Sequence, residues 1–111
     1  MEDIAGRIER EVGSWDGVTI NAHRFGGIEF RLGRRELGHL HGARWADLRF
    51  HQGVRYMLVE TGRAQPHHVL PHTGWVSKQI RDDEDVAAVI ELFRLSYERA
   101  LVAERIRSEN R

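Results

Sequence analysis

Five of the seven histidines fall in two short strings, Gly38-His39-Leu40-His41-Gly42 and Pro66-His67-His68-Val69-Leu70-Pro71-His72-Thr73-Gly74-Trp75. Imidazole is the side chain that exchanges protons near neutral pH and the commonest metal ligand. In an extended segment His39 and His41, two residues apart, point to one face. A surface that needed only solubility would seldom concentrate imidazoles in this way, so the candidate site lies in the middle third of the chain.

Three chemistries fit these residues. A divalent metal would take His39 and His41 with a third ligand from His67 or His68, most simply His68. Gly33 followed by His39-Leu40-His41 matches the opening of the cupin metal motif, but no Glu lies four or five residues after His41. Asp47, six along, is the nearest acid, and the second half of that motif is missing. Metal-free acid–base catalysis would use the same imidazoles beside an apolar wall and Arg24 to deprotonate an enol or phenol and hold its anion. In the third reading the histidines are hydrogen-bonded at the edge of a core. Arg24, Phe30 and Trp75 are the candidate substrate-binding residues, and His39, His41, His67 and His68 the candidate catalytic ones. No organic cofactor is expected, and a divalent metal remains open.

Composition narrows the setting. At 111 residues, 41% hydrophobic and 31% charged, the chain is one soluble domain that buries roughly two-thirds of its unfolded surface. The absence of cysteine excludes disulfides and thiolate-held clusters. With an acidic start and no long apolar run, a cytoplasmic location and no membrane partner are expected. Net charge is zero but uneven: two Arg oppose five acids in residues 1–16, and five Arg oppose eight acids in 82–111. Residues 17–81 carry nine Arg and Lys78 against four acids, with all seven histidines. Helices that collect Glu beside a sheet that collects Arg would produce this, and so would a field that favours an anionic ligand. A net charge of zero argues against nucleic acid as a major partner, and nothing in the sequence sets the oligomeric state.

The elements that must position these groups follow from periodicity. Ile4, Ile8 and Val12 make the apolar stripe of a first helix. Val18, Ile20 and Ala22 alternate with polar residues as a strand, Gly26-Gly27 interrupts it, and Ile28, Phe30 and Leu32 mark a second strand. A third runs from Leu37 to about His41. A four-residue turn, Gly33–Glu36, would set Leu32 opposite Leu37 and Phe30 opposite His39, placing the His pair beside Ile28 and Phe30. A three-residue turn would move it to the charged face with Glu29 and Arg31. Residues 43–50 are ambiguous, with Trp45, Leu48 and Phe50 as core anchors. Val54 and Leu58 suggest a short helix ending at Gly62, and Trp75 to Ile80 a further strand. Asp82 is the N-cap of a long last helix whose buried face is Val86, Val89, Ile90, Phe93 and Tyr97. The expected class is α+β, a two-layer sandwich with an antiparallel sheet of about four strands covered by N-terminal and long C-terminal helices. One domain, 1–111, holds everything.

Four blocks in order carry a resemblance. His23-Arg24-Phe25-Gly26-Gly27-Ile28-Glu29-Phe30, Glu36-Leu37-Gly38-His39-Leu40-His41-Gly42, Gly62-Arg63-Ala64 with His67-His68, and Pro71-His72-Thr73-Gly74-Trp75-Val76-Ser77 resemble the luciferase-domain family. The likeness runs from about Gly17 to Tyr97. It implies a domain similar to one that oxygenates a hydroxypyrone with molecular oxygen and no organic cofactor. His39, His41, His67 or His68 and Trp75 would then line a pocket for a small aromatic or anionic molecule. The element order also resembles the YjbR-like family, which implies the alternative of a non-enzymatic DNA- or protein-binding module using Arg24, Arg31, Arg34 and Arg35.

Overall fold

The computed structural model describes residues 3–23, 26–67, 69 and 73–110. Helix α1 (Ile4–Gly13) leads into strands β1 (Val18–Ala22), β2 (Ile28–Leu32), β3 (Arg35–His41) and β4 (Trp45–Arg49). Helix α2 (Gln52–Glu60), a two-residue strand β5 (Gln65–Pro66), β6 (Trp75–Gln79) and helix α3 (Asp83–Glu109) follow. The strands form one antiparallel sheet in the order β1-β2-β3-β4-β6-β5. The class is therefore the α+β sandwich expected, with six strands rather than four: the ambiguous stretch at 43–50 supplies β4, and Gln65-Pro66 adds a short edge.

Helices α1 and α3 cover one face. Asp3 and Asp82 cap them, their carboxylates accepting from the amides of Gly6 at 2.7 Å and Asp85 at 2.9 Å, which satisfies N–H groups that have no partner within the helix. Under α3 the rings of Phe30 and Phe93 meet edge to face at 5.0 Å. Leu37, Leu40, Leu48, Val76, Val86 and Val89 are fully buried around them. The Tyr97 hydroxyl donates to the Asp16 carbonyl at 2.7 Å and its ring packs on Trp15, which ties the α1–β1 turn to α3.

The β2–β3 connection decides where the histidines face. The turn is two residues long, Gly33-Arg34, with Leu32 opposite Arg35. Gly33 alone there has positive φ, 62°, the requirement of a hairpin turn with glycine first. The ladder then slips: Arg31 lies opposite Glu36 and Phe30 opposite Gly38, so Leu37 is an extra residue in a β-bulge. Beyond it Glu29 faces His39, and Ile28 faces Leu40. Thus His39 and His41 lie on the charged face with Glu29. The four-residue turn that would have placed them beside Ile28 and Phe30 is not formed, because glycine permits the tighter turn and the bulge buries both Leu37 and Gly38.

Candidate functional site

Every strand from β2 to β6 contributes to the face away from α3. Strand pairing sets Glu29 beside His39, His39 beside Asp47, His41 beside Trp45, Asp47 beside Ser77, and Ser77 beside Gln65. Asp47, the acid six residues beyond His41, is brought back under both histidines by the β3–β4 hairpin. It is fully buried.

The contacts converge on that carboxylate. The Nε2 atoms of His39, His41 and His67 stand 3.2, 2.9 and 3.4 Å from Asp47 Oδ2. Ser77 Oγ–H donates to Oδ1 at 2.5 Å. On its other side His39 Nδ1–H donates to Glu36 Oε2 at 2.7 Å, and the His23 ring stacks on His39 with centroids 4.1 Å apart. The backbone N–H of Val69 donates to His67 Nδ1 at 3.1 Å, so the proton of that ring resides on Nε2, facing Asp47. Trp75 forms a wall, its ring 5.4 Å from His39 and 6.1 Å from His67, and Trp45 packs on His41 at 4.8 Å.

These contacts set the charges. Burial works against the charged form of His39, but hydrogen bonds to Asp47 and Glu36 outweigh it and raise its pKa from 6.5 to about 9. Burial likewise opposes ionisation of Asp47, yet bonds from His39 and Ser77 hold it well below the usual carboxylate range. Glu36 is shifted down against its own burial by the His39 bond. Burial and the charge of His39 lower His23. In the metal-free protein His39 is an imidazolium clamped between two carboxylates, with both ring nitrogens engaged.

Beside this cluster, at the end of the sheet where the β2–β3 turn meets the start of β6, lies a cleft of about 630 Å³. Trp75 and Glu36 line both the cleft and the imidazole cluster, and five arginines face the cleft: Arg31, Arg34, Arg35, Arg49 and Arg107. Arg31 pairs with Glu29 at 3.0 Å and Arg107 with Glu104 at 3.3 Å. Among the described residues no acid pairs with Arg34, Arg35 or Arg49.

Of the residues expected from the sequence, His39, His41, His67 and Trp75 come together. Arg24 and His68 lie outside the described residues. Phe30 does not belong to the site: it is fully buried on the helix-covered face beneath Phe93. Trp45, expected as a core anchor, instead faces the site. Asp47, Glu36, Ser77 and His23 complete the cluster. Their sequence signal was weak, since strand pairing rather than local spacing makes them neighbours. His39, His41 and Asp47 form a group that could hold a metal ion, with ligand atoms within 4.8 Å of one another; His23, Glu36 and His39 form a second.

Among the described residues no helix is long and apolar enough to cross a membrane. Neither the curated proteins nor the solved structures contain a significant match to the chain. A family model described as Luciferase domain does match, over residues 34–96, which start at the second residue of the β2–β3 turn and take in His39, His41, Asp47, His67 and Ser77 and most of the buried face of α3. The chain belongs to the luciferase-domain family.

Proposed function

We propose that this domain binds a small acidic aromatic molecule, of the enol or phenol type, and oxygenates it with molecular oxygen. The observation that carries the reading is the position of Trp75, shared between the arginine cleft and the imidazole cluster. An aromatic ring laid on that indole would direct an anionic substituent towards Arg34, Arg35 and Arg49 and its reacting carbon towards His39 and His41. Indole offers a large rigid stacking surface, and unpaired guanidinium groups favour carboxylate or phosphate.

The chemistry balances without an organic cofactor. Loss of the enol proton to a histidine of the cluster leaves a carbanionic enolate, stabilised by the guanidinium groups of the adjoining cleft. Its carbon bonds to oxygen, giving up an electron pair, and oxygen is reduced to a peroxide that takes up a proton. The product is a hydroperoxide, one oxygen molecule consumed per substrate. Membership of the luciferase-domain family supports this reaction class, as a likeness to a domain that oxygenates a hydroxypyrone.

An oxygen electrode with a hydroxypyrone, together with quenching of tryptophan fluorescence, tests the reading. Saturable quenching with stoichiometric oxygen uptake is expected, and Arg49→Glu should raise KM at least tenfold with a smaller effect on kcat. No quenching and no uptake with hydroxypyrones or phenolic acids at millimolar concentration would overturn it. Salt-sensitive DNA binding under those same conditions would favour the DNA-binding module instead.

A further inference from the structure

We infer that His39, His41 and Asp47 form a mononuclear site for a divalent first-row transition metal, with Glu36 and Ser77 as its outer supports. The site stands independently of the oxygenation reading, and its test does not depend on which molecule occupies the cleft.

The hydrogen bonds alone leave a discrepancy at Asp47. Three imidazole nitrogens face the same oxygen, Oδ2, at 2.9–3.4 Å, whereas a carboxylate oxygen offers about two lone-pair directions. The other oxygen takes a single hydroxyl. A metal ion resolves the crowding. With bonds of about 2.0–2.2 Å, ligand atoms around one ion stand about 2.9 Å apart at right angles and about 3.4 Å apart at the tetrahedral angle. His39 Nε2 and His41 Nε2 lie 3.2 and 2.9 Å from Asp47 Oδ2, and the three ligand atoms all lie within 4.8 Å of one another.

The surroundings have the form that a metal site requires. A ligating histidine donates its second ring N–H to a carboxylate or carbonyl, which fixes its tautomer and raises its basicity. Glu36 does this for His39 at 2.7 Å. Ser77 fixes Asp47 Oδ1, which leaves Oδ2 to bind the ion through one oxygen. His67 is not a ligand. Its Nδ1 accepts from Val69 N–H, so its Nε2 carries a proton, and it acts as a donor beside the site.

Two imidazoles and one carboxylate leave coordination positions open. The His41 side chain is 24% exposed against 1% for Asp47, so the open positions lie on the accessible side of the cluster. This donor set, with open positions, is the coordination habit of non-haem Fe(II), and softer thiolate-seeking ions are disfavoured by the absence of sulfur ligands. For an enolate held beside the cluster, the ion would supply positive charge that the carboxylates of Glu36 and Asp47 otherwise offset.

The test uses untagged full-length protein, stripped with chelator, exchanged into chelator-free buffer and titrated with Co(II). Binding is read by visible d–d absorption and by calorimetry, and folding by circular dichroism. One equivalent should bind. His41→Gln, at a part-exposed position, should abolish binding with the fold intact, and Glu36→Gln should weaken it 10- to 100-fold. His67→Gln should keep one-to-one binding, weakened no more than by Glu36→Gln, because His67 donates to Asp47 at 3.4 Å without ligating the ion. Folded parent protein that takes up neither Co(II), Fe(II) nor Zn(II) stoichiometrically would overturn the inference. So would binding that persists in folded His41→Gln, or loss in His67→Gln as complete as in His41→Gln. Oxygen uptake is not read in this experiment, so failure here and failure of the oxygenase reading remain distinct.

Discussion

Gly38 sits where the core meets the back of the site, and replacing it with alanine tests the packing argument at its tightest point. A Cβ there would lie 2.7 Å from the Asp47 carbonyl oxygen, 2.9 Å from Phe93 Cε1 and 3.0 Å from Leu48 Cγ. The phenyl ring and the leucine can each give way a little. The carbonyl can withdraw only if β4 moves. Overpacking a well-filled core costs about 1–3 kcal/mol, and the smaller conformational freedom of alanine in the unfolded chain returns about 0.4–1 kcal/mol. Gly38→Ala should therefore lose about 1–2 kcal/mol. At about 4–8 °C per kcal/mol for a domain near this size, Tm should fall by about 5–15 °C. Urea melts followed by circular dichroism give the free energy directly, with an unchanged m-value expected. The displaced oxygen belongs to Asp47, so the same variant should also bind Co(II) more weakly. Gly53→Ala serves as the opposite control. That glycine lies in the first turn of α2 and its nearest neighbour to a new Cβ is a His51 side-chain atom at 3.4 Å, so a gain of about 0.5–1 kcal/mol is expected. A Gly38→Ala protein as stable as the parent would refute the reasoning.

The metal-free protein should lose stability towards alkaline pH. The His39 pKa is raised in the folded state from 6.5 to about 9, so its contribution is complete below pH 6.5 and lost as pH climbs through 9. The size is about 3 kcal/mol by linkage, and His39→Gln should flatten the profile; a urea midpoint in chelator that stays constant from pH 6 to 10 in the parent would contradict the clamp. Ser96→Ala removes a buried hydroxyl that donates to the Leu37 carbonyl at 3.0 Å. It should cost about 1–2 kcal/mol in the same melts, and a neutral result would mean that the carbonyl at the bulge finds another donor.

The class of fold was legible because the periodicities were clean: the stripe of α1, the alternation of β2, and Asp82 opening α3. The count of strands was not. The stretch Trp45-Ala46-Asp47-Leu48-Arg49 alternates correctly for a strand, but its outward residues are a tryptophan, a buried aspartate and an arginine, so hydrophobicity alone does not mark it. The site was half legible. Imidazole clustering located His39, His41 and His67, whereas Asp47 looked six residues out of place by linear spacing, though a hairpin makes it adjacent. Phe30 was misplaced for a reason specific to β-structure. A single inserted residue, Leu37, shifts the parity of everything after it, and no propensity scale registers parity.

That parity has a consequence for how the site comes into being. Glu36 and His39 stand on β3, Asp47 on β4 and Ser77 on β6, and the Ser77–Asp47 bond spans 30 residues of chain. No fragment short of the three registered central strands contains the cluster, so a partly folded chain has no weak version of it. Whatever binds there binds the native state alone, and its full binding free energy opposes global unfolding. Amide exchange would then slow together across β3, β4 and β6, while the outer β1 edge could still open and close on its own.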